Sequence, residues 1–288
     1  MKRILNYPGS KWRMSDLIIS QMPKHKAYLE PFMGSLAVFL NKPRVTLETI
    51  NDIDARLVNL FRVMRDDPEK LQYLIYHTLY SREEFIRSNE IAVDPVEDAR
   101  RMAVRLWFGV GGKTVAMPGF RKNISWNGPY TAYEWTDMFN RIGYAAARLK
   151  NAQIECKDGI QLIKEHNDPD TLIYCDPPYI ASSLVSDHYE NGFTNHQHEE
   201  LLTTLINHQG KVILSGYDSE LYNSVLKNWN VIKQQTKVGI TSVKKAKKQN
   251  VTLGTRATVL ESMVRSLNRE VEKFYKVNPF WGLSEEVK

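Results

Sequence analysis

Apolar and polar positions follow two rhythms along this chain. Short apolar or β-branched runs read as strands, and between them lie stretches whose apolar residues recur at helical spacing. Lys26–Glu30 reads as a strand stopped by Pro31, and Leu36–Leu40 as the start of a helix. Val45–Ile50 reads as a second strand that ends at Asn51-Asp52, and Ala55–Arg65 as a second helix. From Asp67 to Leu149 the strand rhythm is lost. Leu71–Leu79, Arg82–Asn89, Pro95–Phe108 and Glu134–Leu149 have helical spacing. The intervening Gly-rich, basic stretch from Gly109 to Tyr130 reads as a long irregular loop or a small hairpin, and loops of that length are usually functional. Strands then return at Gln153–Cys156, Leu172–Cys175, Lys211–Ser215, Val231–Lys237 and Ala257–Glu261, with helices at Ile160–His166, His196–His208 and Glu220–Lys227. This alternation predicts an α/β fold. A nucleotide-binding-type core, residues 1–66 and 150–288, is interrupted by one insertion, residues 67–149.

Composition narrows the picture a little. With 288 residues and 42% hydrophobic content the chain can bury a large core, and 25% charged residues exclude wholesale disorder. A formal net charge of +6 permits a nucleic-acid partner without requiring one. Cys156 and Cys175 form no Cys-x-x-Cys pair, so a metal cage is not indicated. His196 and His198 lack a third ligand and read as surface helix residues. No apolar run approaches a membrane span of roughly 20 residues, and the N-terminus lacks a signal-like apolar segment. The expectation is a soluble, intracellular protein without membrane or metal.

The most informative residues are Asp176-Pro177-Pro178-Tyr179, directly after the apolar run Leu172–Cys175. Ligands of open α/β sheets bind beyond the carboxyl ends of strands. Two prolines fix two φ angles and remove two backbone donors, but their carbonyls remain acceptors. An acid, a rigid pair of carbonyls and an aromatic ring are thus presented together, a set that suits an amino group on a flat ring. Adenine N6 is a poor nucleophile because its lone pair is delocalised. Accepting its protons at Asp176 and the Pro177 carbonyl draws the nitrogen towards a tetrahedral form, and Tyr179 can stack on the base for about 1–3 kcal/mol. A free aspartate, with a pKa of about 3.9, is too weak to deprotonate the amine first, so its work is positioning and electrostatics. The competing reading is a rigid turn in which Asp176 is only a cap.

In this order, the segment Asn6-Tyr7-Pro8-Gly9-Ser10-Lys11-Trp12, the loop Glu30-Pro31-Phe32-Met33-Gly34-Ser35, the acid Asp52 after the second strand, the insertion, and the Asp-Pro-Pro-Tyr motif resemble the DNA adenine-N6 methylases of the DNA adenine methylase family. The resemblance covers most of the chain. It implies a Rossmann-like class I methyltransferase sheet with an inserted, mostly helical target-recognition domain. It also implies S-adenosylmethionine as cofactor and double-stranded DNA as partner, with methyl transfer to N6 of a flipped adenine. Catalysis would fall to Asp176, Pro177, Pro178 and Tyr179. The cofactor would lie among Tyr7, Lys11, Glu30, Pro31, Phe32, Gly34, Asp52, Asp158 and Asp176, with Lys11 at its methionyl carboxylate. Asp52, about 20 residues beyond the glycine loop, suits ribose hydroxyls, while Asp54 reads as a helix cap. Asp158 reads equally as an adenine contact or as the cap of the helix after it. Where the family carries a second glycine this chain has Leu36, which puts a side chain where the backbone approaches the ligand; three readings stay open, a reshaped pocket, weaker cofactor binding, or a loop that needs only one glycine. Arg256 resembles a C-terminal arginine of the family, but no role is carried to it.

Flipping a base costs a few kcal/mol, which phosphate and base contacts must offset. The insertion supplies Lys113, Arg121, Lys122, Asn123, Ser125, Trp126, Asn127 and Tyr130. Lys244, Lys245, Lys247 and Lys248 form the densest basic run, read as a phosphate contact or a solvated loop. Phe193-Thr194 resembles a family segment near the active site, and Ser215-Gly216-Tyr217 ends another core strand. Two other functions stay open on sequence: an adenine-N6 methylase acting on RNA, and a DNA-binding protein with an inactive core. A restriction endonuclease partner is compatible with the resemblance, as are a nucleoid-associated enzyme acting alone and a virus-encoded one.

Overall fold

A computed structural model describes residues 2–112, 119–122, 131–178, 193–216, 219–237 and 258–267. Seven strands, β1 (Ala27–Glu30), β2 (Leu47–Asn51), β3 (Gln153–Glu155), β4 (Thr171–Cys175), β5 (Lys211–Gly216), β6 (Asn230–Lys237) and β7 (Thr258–Leu267), form one sheet in the order β3-β2-β1-β4-β5-β7-β6. Pairings from β3 through β5 are parallel, and β7 runs antiparallel to both β5 and β6. The strand order reverses between β1 and β4. At such a switch point the loops leaving two neighbouring strands turn to opposite faces and open a crevice. This is the expected Rossmann-like arrangement.

The central strands β1, β4 and β5 are buried on both faces, as parallel sheets require. Alternate residues therefore enter two separate cores. Tyr28, Leu172, Tyr174 and Ile213 join the larger one, with α1 (Ser15–Ser20), α2 (Ala37–Asn41), α3 (Ala55–Asp66), α4 (Pro68–Tyr76), α5 (Arg82–Arg87), α6 (Pro95–Phe108) and α8 (Met138–Leu149). Leu29, Ile173, Cys175, Val212 and Leu214 face α9 (Gly159–Glu165), α10 (Asn195–Ile206) and α11 (Glu220–Val225). Helices from the 67–149 stretch, such as α6 and α8, share one continuous core with α3 and the sheet. The Trp107 indole on α6 also donates to the Ile4 carbonyl at 2.8 Å, tying the N-terminal segment to this layer.

The expected elements recur with shifted ends, and two differ in kind. The helical stretch Glu134–Leu149 is broken into α7 (Thr131–Thr136) and α8, with Asp137 between them. The strand expected at Ala257–Glu261 continues to Leu267, because β7 lies between β5 and β6 and both neighbours supply ladder partners for polar positions. The base of the long basic loop is closed by a short antiparallel pairing. Val110 N–H donates to Gly119 O at 2.8 Å and Arg121 N–H to Phe108 O at 2.7 Å. Among the described residues no helix is long and apolar enough to cross a membrane.

Candidate active site

A cavity of about 280 Å³ opens at the carboxyl ends of β1, β2 and β4 and beside the start of α9. Tyr7, Lys11, Glu30, Pro31, Phe32, Gly34, Asp52, Asp158, Asp176, Pro177 and Pro178 all line it. Tyr179 lies outside the described residues.

The loop after β1 forms one wall. Gly34 sits at φ +44°, and a Cβ there would meet the Tyr7 ring at 3.1 Å, so the loop's turn and the packing of Tyr7 both favour glycine. The Ser10 and Ser35 hydroxyls, 2.7 Å apart, join the N-terminal segment to the same loop. Leu36 faces the core and not the cavity. It keeps the left-handed backbone that a glycine would adopt, at φ 55° and ψ 27°, yet its side chain is wholly buried in the larger core and does not line the cavity. The substitution thus leaves the ligand side of the loop clear and adds strain of about 1–2 kcal/mol, which core packing offsets.

Asp52 accepts hydrogen bonds from Gly34 N–H at 3.0 Å and Asp54 N–H at 3.1 Å, which orients it at the loop and the cavity together. Burial pushes its pKa up to about 6, against the lowering effect of these donors. Asp54 is the cap of α3, accepting from Arg56 N–H and Leu57 N–H. Asp158 both lines the cavity and caps α9 through Gln161 N–H at 2.9 Å.

Two neighbours of these acids escape sequence reasoning. Asn51 is fully buried, and its amide donates to Pro31 O at 2.9 Å and Lys157 O at 3.0 Å while accepting from Lys157 N–H at 2.9 Å. It pins the loops after β1 and β3 to the end of β2. A polar residue closing an apolar strand is the available signal. A Cβ on Gly159 would meet the Phe32 ring at 2.7 Å, so that glycine makes room for a cavity wall.

The far wall is the end of β4 with Asp176, Pro177 and Pro178. The Asp176 carboxylate is 19% exposed. Its Oδ2 lies 3.0 Å from the Lys11 ammonium, which is itself 7% exposed and donates to Gly9 O at 2.7 Å. Its Oδ1 accepts from the Ser215 hydroxyl at 2.7 Å. Lys11 thus meets the Asp-Pro-Pro aspartate directly. Beneath lies Glu30, 2% exposed, whose Oε2 accepts from the Tyr28 hydroxyl at 2.6 Å. Burial, more than the nearby Asp176 charge, pushes the Glu30 carboxyl up to about 8.

The helix after the motif completes the rim. Thr194 and Gln197 form a capping box that starts α10, and Phe193 meets Phe32 edge-on at 5.6 Å. His196 is exposed, but His198 is not a surface residue: it is fully buried, with Nδ1 2.9 Å from the Tyr222 hydroxyl, and burial lowers its pKa to about 4. His198, Leu201, Leu202 and Leu205 are the buried stripe of α10, at the helical spacing that could have revealed it.

Most of the residues expected on the DNA side lie outside the described residues: Lys113, Asn123, Ser125, Trp126, Asn127, Tyr130, Lys244, Lys245, Lys247 and Lys248, as do Tyr217 and Arg256. Lys122 is exposed, whereas Arg121 is half-buried and its guanidinium donates to Gly109 O at 3.1 Å. Neither lines the cavity.

Comparison with known proteins agrees with this geometry. A type II methyltransferase of Lactococcus lactis subsp. cremoris is 28% identical over 69% of this chain and 71% of its own length. The DNA adenine methylase of Escherichia coli K12 is 25% identical over 90% of this chain and 93% of its own. That of Haemophilus influenzae is 30% identical over 61% and 63% respectively. The family described as D12 class N6 adenine-specific DNA methyltransferase matches residues 7–273, and the chain belongs to it.

Proposed function

We propose that this DNA adenine-N6 methyltransferase binds S-adenosylmethionine in the cavity at the ends of β1, β2 and β4, and presents it to an adenine flipped out of double-stranded DNA onto Asp176, Pro177 and Pro178. The observation that carries the reading is the Asp176 carboxylate, open to the cavity on one side and held by Lys11 and Ser215 on the other.

The residues fit the cofactor. Asp52 offers acceptors for a ribose diol, Asp158 for an exocyclic amine, and Gly34 leaves room that a side chain would fill. The cofactor would supply an electrophilic methyl group. Asp176 and the Pro177 carbonyl accept hydrogen bonds from the two N6–H groups, which localises the nitrogen lone pair for attack; once the nitrogen carries the methyl group, one N6 proton passes by way of the Asp176 carboxylate to solvent. The tight prolines give that acceptor pair a fixed geometry before substrate arrives. Tyr179 stacks on the extruded base. The 67–149 stretch and the Lys244–Lys248 run supply DNA contacts, with the lysines on phosphates.

The test is methyl transfer from labelled S-adenosylmethionine to unmethylated duplex DNA, single-stranded DNA and RNA, followed by nucleoside analysis. N6-methyladenine in duplex DNA is the expected product; label confined to RNA or single strands would overturn the duplex reading. Mapping the methylated sites then tests for a restriction endonuclease partner, whose cleavage such methylation would block.

A further inference from the structure

We infer that Ser215 is a positioning residue for methyl transfer, relaying a hydrogen bond from the buried Tyr174 hydroxyl to the Asp176 carboxylate; this rests on the assignment of Asp176 as the group that receives N6. In the parallel register of β4 and β5, Tyr174 lies opposite Ile213 and Cys175 opposite Leu214. The next step brings Asp176 beside Ser215. Side chains two apart share a sheet face, so Tyr174, Asp176, Ile213 and Ser215 all project to the same side. Ser215 is fully buried and Tyr174 is 1% exposed.

Both hydroxyls must then find partners inside the protein. Asp176, paired with the Lys11 ammonium, acts as a carboxylate and only accepts. The Ser215 proton is therefore committed to Oδ1 at 2.7 Å. The 3.2 Å contact between the Tyr174 and Ser215 oxygens is filled by the Tyr174 proton. The chain has one direction: Tyr174 to Ser215 to Asp176.

Its consequence is orientation. The terminal torsion of an aspartate is broad and roughly two-fold, so a single contact leaves the carboxylate plane free to turn. Here the two oxygens are held separately, Oδ2 by Lys11 and Oδ1 by Ser215. Each oxygen keeps further acceptor capacity, and the plane is set for an incoming amine. Ser215 does not itself line the cavity, so its effect runs wholly through Asp176.

The experiment compares Ser215→Ala, Tyr174→Phe, the double variant and Asp176→Asn in single-turnover methyl transfer, with cofactor and duplex dissociation constants measured on the same proteins. Ser215→Ala should lower the transfer rate about ten- to a hundredfold, the usual weight of a hydrogen bond to a charged group, with both dissociation constants within about twofold of the parent. Tyr174→Phe should lose a smaller factor, and the double variant should be no slower than Ser215→Ala, since both act on one chain. An unchanged rate in Ser215→Ala, or a double variant whose losses multiply, overturns the relay. If Ser215→Ala does not fold, Tyr174→Phe decides by the same split between rate and binding. Full turnover in Asp176→Asn would instead sink the assignment of Asp176, which separates the two failures.

Discussion

Two neighbouring strands end in the same pattern and hold their acids in different ways. β1 closes with Tyr28-Leu29-Glu30, and β4 closes with Tyr174-Cys175 followed by Asp176. In both, a fully buried tyrosine stands two residues before an acid on the same sheet face. At β1 the tyrosine hydroxyl reaches the acid directly, at 2.6 Å. The nearby Lys42 ammonium is bound to Glu48 at 2.6 Å, so Glu30 is left to bear its burial and its carboxyl rises to about 8. At β4 the acid lies one step beyond the strand and partly open to the cavity. A lysine from the N-terminal segment and a serine from β5 meet its two oxygens. The motif alone does not decide how the acid is held. What decides it is whether a cation from elsewhere in the chain arrives to compensate for burial.

If that contrast is functional, the largest effect belongs to the β4 end. Asp176→Asn keeps shape and removes charge. Single-turnover methyl transfer should fall by about 10²-fold or more, while the circular dichroism spectrum is retained. Lys11, 7% exposed, loses its counter-charge, so the melting temperature should fall as well. Substantial turnover in the variant would show that the charge at the end of β4 does not set it apart from β1.

The loops beyond the strands sharpen the comparison further. After β4 the chain is stiffened by Pro177 and Pro178; after β1 it is held by Gly34 and by Leu36 in a left-handed conformation. Leu36→Gly relieves about 1–2 kcal/mol of backbone strain but removes a wholly buried side chain worth about 2–5 kcal/mol. Packing outweighs strain over most of that range, so denaturant unfolding should show a net loss of up to about 4 kcal/mol. A variant more stable than the parent would mean that the leucine is a burden that the core does not offset.

How much of this is legible in the sequence depends on the range of each feature. Strand–acid junctions, the glycine loop and the two capping aspartates are local, and the sequence shows them. His198 escapes because two histidines separated by one residue invite weighing as a metal pair, when one of them belongs to the buried stripe of α10. The end of β7 is invisible because its polar positions are held by ladder partners on both sides. The pairing of Lys11 with Asp176 spans most of the chain and has no spacing signature; it exists only because the switch point brings the N-terminal segment over the end of β4. The Tyr-x-acid pattern is in plain view at both strands, but its meaning lies in the neighbours.

A smaller effect is expected at Asp52, another acid of the cavity. Asp52→Asn replaces one charged acceptor by a neutral amide and should weaken S-adenosylmethionine binding by about 1.5–3 kcal/mol, roughly ten- to a hundredfold. In the parent, affinity should fall as pH drops through about 6, because the carboxylate proposed to accept the ribose hydroxyls is then protonated. Calorimetric titration between pH 5 and 8 should show that fall in the parent and not in the variant. Equal pH profiles would assign the titration to another group.

The gentlest probe is Glu30→Gln, which tests whether the β1 acid is kept neutral. An unfolded glutamate titrates near 4.5, and in the fold Glu30 is pushed to about 8. Between those values the folded chain holds a proton that the unfolded chain has released. The stabilising contribution is therefore complete below about pH 4.5 and is lost as pH rises towards about 8. Glutamine mimics the protonated acid in shape and still accepts from the Tyr28 hydroxyl. The variant should melt close to the parent at pH 5 and above it at pH 8, with a flatter profile between. A parent whose stability instead rises with pH in step with the variant would show that Glu30 carries its charge in the fold. The two strand ends would then differ only in exposure, and the neutralising work assigned to Lys11 would lose its contrast.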